Sequence, residues 1–186
     1  TFKKVSKASA VFNREKLAWY NKQYISKLDA ETFFDFALPY LVNNGLVDNR
    51  ESGIENKEWL MQVLALEKER IEILADLPEA IGFIFADTLI YDPELVIWKK
   101  STQEETKEKL QMLTEFLEII EDWTELNLEE KIKAWIVEKK YGVGDILWPM
   151  RVALSGRKNS PGPFEIAGVL GKEKTISRLQ HAVEKL

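Results

Sequence analysis

The sequence predicts an all-α fold, and three observations carry that expectation. Apolar residues recur three and four positions apart in most segments, as in Leu110, Leu113, Phe116, Leu117 and Ile120. No alternating apolar–polar run of strand type persists anywhere. Residues able to close helix amino ends, such as Asn13 and Asp29, stand just ahead of the periodic segments. The chain has 186 residues, 45% of them hydrophobic and 31% charged, which suits one large or two small folded domains with cores of their own.

Taken in order, residues 1–12 read as a lead-in anchored by Val11 and Phe12, and the start at Thr1 reads as a piece of something longer. Asn13 opens a helix to about Tyr24, with Leu17, Tyr20 and Tyr24 on one face. Asp29 opens a second, striped by Phe33, Phe36, Ala37, Tyr40 and Leu41 and ended by Asn43-Asn44-Gly45; a stripe of this kind predicts core. After a polar connector at 49–56, a long helix is expected from Lys57 to about Ala75, with Pro78 as its stop. Its apolar face is Trp59, Leu60, Val63, Leu64, Leu66, Ile71 and Leu74. Gly82 to Ala86 reads as short and buried, and 87–101 as a loop pinned by Tyr91 and Trp98. Helices follow at Thr102–Glu121 and, from an Asn127/Glu130 capping box, to about Lys140. Tyr141 to Gly144 is a turn, and a last helix spans Lys172–Leu186 through Ile176, Leu179 and Val183.

Composition removes several classes of chemistry. There is no cysteine, so disulfides and thiolate metal sites are excluded, in keeping with a cytoplasmic setting. A single histidine, His181, leaves triads and histidine-based zinc sites little to work with, and it reads as a helix-end residue. No phosphate loop or dinucleotide fingerprint is present, and no apolar run reaches the roughly 20 residues of a membrane span. Net charge is −5, which by itself argues against a general nucleic-acid binder, DNA included. The charge is uneven: residues 139–186 hold nine Lys/Arg against four Asp/Glu, leaving an acidic body and a basic end suited to local contact with a polyanion.

The segment from Trp148 to Lys172 differs from the charged helices around it. Pro149, Gly156, Pro161, Gly162 and Pro163 punctuate it. Gly156 suits a helix carboxyl end, Arg157 and Lys158 an exposed loop, and Pro163 the first position of a new helix. On its residues alone this is either a basic corner that turns the chain or a recognition loop.

Several motifs resemble the end of the bacterial glutamyl-tRNA synthetase family. They are Pro149, Arg151, Ala153-Leu154-Ser155-Gly156, Pro161-Gly162-Pro163-Phe164-Glu165 and Leu170-Gly171-Lys172-Glu173. Leu17-Ala18-Trp19-Tyr20-Asn21-Lys22-Gln23-Tyr24-Ile25 matches a further family segment. Ser6 to Phe12 matches the stretch that precedes the family's anticodon-binding part, not the Lys-Met-Ser-Lys-Ser loop that Val5 to Ser9 superficially suggests. The family's two catalytic signatures are missing, so the resemblance implies a non-catalytic piece of an ATP- and Mg-using ligase, with no cofactor of its own. It further implies a connector at 1–12, a helical bundle subdomain at 13–82 packed around Trp19, Phe33, Trp59 and Leu60, and an α-helical cage subdomain at 83–186. The implied partner is the anticodon of glutamate tRNA, met by a monomer.

The resemblance assigns Arg151, Ser160, Pro161, Gly162, Pro163 and Phe164 to the anticodon. Arginine offers a flat face and a fork of donors, and a Pro-Gly loop brings backbone close to a base. Phe164 has a second reading as a core plug beneath the loop. Arg70 lies eight residues before Pro78, at the register where the family's enzymes that accept only glutamate tRNA carry arginine. Its bland reading is a pair with Glu67 on a wet helix face. From another class of function, the acidic amphipathic bulk of 1–138 also suits an all-helical protein–protein interaction module.

Overall fold

A computed structural model describes residues 13–186; the expectations for 1–12 lie outside them. Nine α-helices and no strand occur among the described residues. They are α1 Arg14–Lys27, α2 Ala30–Asn43, α3 Arg50–Glu55, α4 Lys57–Lys68, α5 Leu77–Phe85, α6 Gln103–Glu118, α7 Glu125–Glu138, α8 Val143–Ser155 and α9 Pro163–Lys185. One group packs α2 with α3, α4 and α5; another packs α6, α7 and α8 around α9; α4 meets α9 between them.

The predicted caps form. Asn13 and Asp29 accept the amides of Lys16 and Thr32 at 2.9 and 2.8 Å. Thr102 and Glu105 close a reciprocal capping box on α6 that was not among the expectations. Gly156 ends α8 at φ +68°, a left-handed conformation that a Cβ would strain. Pro163 opens α9 at its first position.

Other boundaries moved. The helix from Lys57 stops at Lys68, because the Glu67 carbonyl accepts both Arg70 N–H and Ile71 N–H, at 2.8 and 3.0 Å, and tightens the turn. Pro78 therefore begins α5 instead of ending α4. Asn127 caps nothing: α7 already starts after Thr124, and the Asn127 amide donates to the Asp122 carbonyl at 2.6 Å. Pro149 lies inside α8 and is buried. The final helix starts at Pro163 and is broken at Gly171, whose φ of 78° and ψ of 171° are not helical. The stretch expected from Lys172 is the part beyond that break, buried through Thr175, Arg178, Leu179 and Ala182, with Ile176 and Val183 half-buried.

The second group keeps its aromatic side chains in. Phe116 stacks on Trp135 at 5.3 Å, and Trp98 packs on Trp148 at 4.8 Å between ring centres. The first group does not. Of the α2 stripe, Phe33, Ala37 and Leu41 are buried, but Phe36 and Tyr40 face out, and the core face is completed by Phe34 and Leu38. On α1 only Ile25 is buried; Leu17, Trp19, Tyr20 and Tyr24 are exposed. Trp19 and Trp59 are thus not the core of the bundle, as Phe33 and Leu60 are.

Candidate nucleic-acid interface

The corner between α8 and α9 is held by side chains that the sequence places nearby and by others that it does not. The Ser155 hydroxyl donates to the Arg151 carbonyl at 2.7 Å and accepts the Arg157 amide at 3.2 Å, closing the turn after Gly156. Arg151 lies over the Trp148 ring at 4.8 Å and donates an η nitrogen to the Lys158 carbonyl at 3.1 Å. Its flat face and one donor are therefore engaged within the corner. Arg157, expected to be exposed, forks the Ala80 and Glu79 carbonyls of α5 at 2.9 and 2.7 Å and stacks on Phe83. No signal in the sequence links it to residues nearly eighty positions earlier.

Within the loop, Ser160, Pro161 and Phe164 are buried. The Ser160 hydroxyl donates to the Pro161 carbonyl at 3.1 Å, and Phe164 plugs the core beneath the corner. Lys158 and Asn159 are exposed, and Gly162 and Pro163 half-exposed. The Gly162 amide donates to the Glu165 carboxylate at 2.6 Å, fixing the first turn of α9.

Arg70 stands at the end of α4, its side chain 46% exposed. Its Nε donates to Glu67 at 3.0 Å. Its terminal amino groups make no hydrogen bond to another described residue. Glu67 itself is buried, only 7% exposed. Burial raises its carboxyl above the usual range; the Arg70 and Arg157 guanidiniums oppose that rise and Glu165 adds to it. Glu67 thus lies within charge range of Arg157 and Glu165, and α4 packs against α9, so Arg70 and the start of α9 stand on neighbouring elements. Glu67 was visible only as the i,i+3 partner of Arg70; its burial depends on tertiary packing.

Beside this region, a cleft of about 420 Å³ separates α4 from α7 and α9. Gln62, Leu66, Trp123, Glu125, Glu165 and Gly168 line it. The Glu125 carboxyl is raised by burial, then by Glu165 and Glu129. Two carboxylates make the cleft unfavourable to phosphate and suited to N–H donors. Two indoles join its walls: Trp123 donates to the Ala167 carbonyl at 2.9 Å and Trp59 to the Val169 carbonyl at 3.0 Å, both in the α9 turn that precedes Gly171.

The basic end is used differently from the expectation. Lys172 caps the carboxyl end of α6 through the Glu118 and Ile120 carbonyls at 2.7 and 2.8 Å. Lys174 reaches the Ile84 carbonyl of α5 at 3.0 Å, and Lys185 the Leu89 carbonyl at 2.8 Å. Arg178 donates to Leu154, Phe83 and Ala86 carbonyls at 2.6, 2.7 and 2.8 Å. With Arg151 and Arg157, six of the nine basic residues beyond 138 donate to backbone carbonyls, and three of the six, Lys172, Lys174 and Arg178, do so at helix carboxyl ends.

The family described as "Anticodon binding domain" matches residues 32–183. The chain belongs to the anticodon-binding domain family. Among relatives of this anticodon-binding domain is the glutamate–tRNA ligase of Clostridium botulinum strain Hall. It is 35% identical across all of the chain, which covers 37% of that protein. The glutamate–tRNA ligase of Flavobacterium psychrophilum is 33% identical over 98% of the chain and 34% of its own length. A crystal structure of a glutamate tRNA ligase from Elizabethkingia meningosepticum, in complex with its amino acid, superposes with a TM-score of 0.81 at 28% identity. It covers 97% of the chain and 34% of the solved one. The anticodon-binding domain thus spans little more than a third of the length of these relatives.

Proposed function

We propose that this domain reads the anticodon of glutamate tRNA on behalf of a glutamate–tRNA ligase, acting as a monomer in the cytoplasm. Ligation of glutamate with ATP and Mg is then the work of residues outside the chain. No cluster of three or more His, Asp or Glu among the described residues fits a metal. We divide the domain into a connector, a bundle and a cage, with the second boundary after Phe85, since α5 runs unbroken through residues 82 and 83 and packs with α2 and α4.

The observation that carries the reading is the state of Arg70. Its Nε is tied to a buried carboxylate while its amino groups stay open, close to the corner that begins α9. A guanidinium so anchored loses little further freedom on binding. Cytosine, the third base of glutamate anticodons, offers the adjacent acceptors N3 and O2. Guanine, which glutamine anticodons carry there, presents N–H donors to the same fork. At the corner, Gly162 and Pro163 offer backbone and a flat ring to the neighbouring bases, Ser160, Pro161 and Phe164 shape the loop from beneath, and Arg151 acts through the loop it holds.

The test is Arg70→Gln in the full-length enzyme, assayed on both tRNAs. A donor facing donors costs about 1–3 kcal/mol, so the substitution should shift the charging ratio by roughly tenfold or more. An unchanged ratio removes Arg70 from the reading of that base. Separately, binding of glutamate tRNA at two salt concentrations discriminates the protein–protein alternative, because phosphate contacts weaken steeply with salt.

A further inference from the structure

The connection at 87–101 does more than join α5 to α6. Its single turn at Pro93–Val96 and the residues just after it hold one side chain of α8, Trp148. The Leu95 carbonyl accepts the Trp148 indole N–H at 2.9 Å. Trp98 lies on the Trp148 ring at 4.8 Å between ring centres, tilted by 37°. Trp148 in turn carries the Arg151 guanidinium at 4.8 Å, and Arg151 donates to the Lys158 carbonyl at 3.1 Å. One indole thus leads, step by step, from the 93–98 segment into the loop between α8 and α9.

Trp98 is the member of this series that burial does not explain. It is half-buried and stands outside the hydrophobic core, whereas Trp148 packs against that core. Yet it is closely held. The Ser101 amide donates to its carbonyl at 2.9 Å. Lys99 takes a left-handed φ of +49° and lies over its ring at 4.6 Å. A lysine in that conformation stores strain that the surroundings must hold. At the amino end of α8, a Cβ at position 144 would stand 2.3 Å from the Trp98 Nε1, so Gly144 is what lets the indole lie there. Trp98 also borders an open groove of about 700 Å³, shared with Lys100, Glu105, Lys109 and Asp145, which gives the indole room to swing away.

We infer that Trp98 is a positioning residue for anticodon recognition: by holding Trp148 it sets where Arg151, and the loop that Arg151 ties down at Lys158, stand toward the RNA. The role rests on the corner being the anticodon contact. A side chain that fixes the stack from outside the core contributes orientation, as the support of a binding site does.

The experiment measures the Kd of the full-length enzyme for glutamate tRNA at one salt concentration. Gly144→Ala is the leading variant. It removes no contact, favours the helix, and pushes the indole off Trp148 into the groove. Its Kd should rise roughly tenfold, as for loss of one ordered contact to a base, with the melting temperature kept. Trp98→Leu should do the same, and Trp98→Phe, which keeps a ring on Trp148, should bind like the parent. A lowered melting temperature in Gly144→Ala passes the decision to this second pair. Arg151→Met cuts the series at its last step and should itself weaken binding. Adding Gly144→Ala to it should weaken binding no further, whereas a merely structural Trp98 gives effects that add. An unchanged Kd in Gly144→Ala or Trp98→Leu, equal weakening in Trp98→Phe, or additive effects overturns the positioning role, and weakening by Arg151→Met alone then leaves the reading of the corner standing. If Arg151→Met binds as tightly as the parent, the corner is not the contact, and the role of Trp98 falls with it.

Discussion

The two helical groups treat their most conspicuous side chains in opposite ways. Around α1 and α2, aromatic residues at helical spacing stay outside: Trp19, Tyr24 and Phe36 are 56%, 72% and 53% exposed. Around α9, cationic residues go inside, and Arg178 is nearly as buried as the leucine beside it. Residue type alone therefore predicts neither. Burial follows from what stands opposite: α1 has only Ile25 in contact with the core, whereas α9 passes the carboxyl ends of α5, α6 and α8, where free carbonyls accept charged donors.

The sharpest way to break this contrast is Arg178→Met. It keeps much of the volume but leaves three carbonyls at helix ends without their donor. Each lost partner is worth on the order of 1 kcal/mol, so thermal unfolding should show a loss of about 3 kcal/mol. A loss below about 1 kcal/mol would mean that water replaces the guanidinium and that the cation is not a structural cap.

A middling effect is expected at Glu67. Its carboxyl is raised in the folded state, so the folded protein holds a proton more firmly than the unfolded one. That contribution to stability is complete below the ordinary carboxyl value of 4.5 and is lost as pH rises through the raised folded value. Glu67→Gln keeps an acceptor for Arg70 Nε and removes the desolvated charge. Its melting temperature should equal or exceed that of the parent at pH 7, with less decline between mildly acid and neutral pH. A large drop at pH 7 would show instead that attraction by Arg70 and Arg157 outweighs burial.

The smallest effect belongs to the exposed aromatics. Phe36→Ser should change stability by no more than about 0.5 kcal/mol, the usual range for surface positions. Urea denaturation checks it, and a loss of several times that size would place Phe36 in the core after all.

The contrast also sets how much was legible in the sequence. Caps are local, so Asn13, Asp29, Gly156 and Pro163 could be read directly. Helical period finds a face but does not say which of two faces turns inward, and Phe36 and Tyr40 fell on the wrong side. The break after Lys68 depends on a shared carbonyl, and periodic apolar residues on both sides concealed it. At the candidate interface, Arg70 and the 160–164 corner were found by resemblance, and the Glu67 pair by spacing. What joins them was not legible, because Arg157 and its α5 partners lie 77 and 78 residues apart.

Gly171 gives these parts a fixed gauge. A continuous helix would have used its own amides for the carbonyls of Ala167 and Val169. Where the helix breaks, indoles from α4 and from the approach to α7 take that role. Trp59 thereby grips the same short stretch of α9 that begins at the Pro161–Pro163 corner, and it does so from the helix that ends next to Arg70. The two are held like the jaws of a caliper with its screw tightened, so that the Arg70 end of α4 and the Pro161–Pro163 corner keep a set distance from one another.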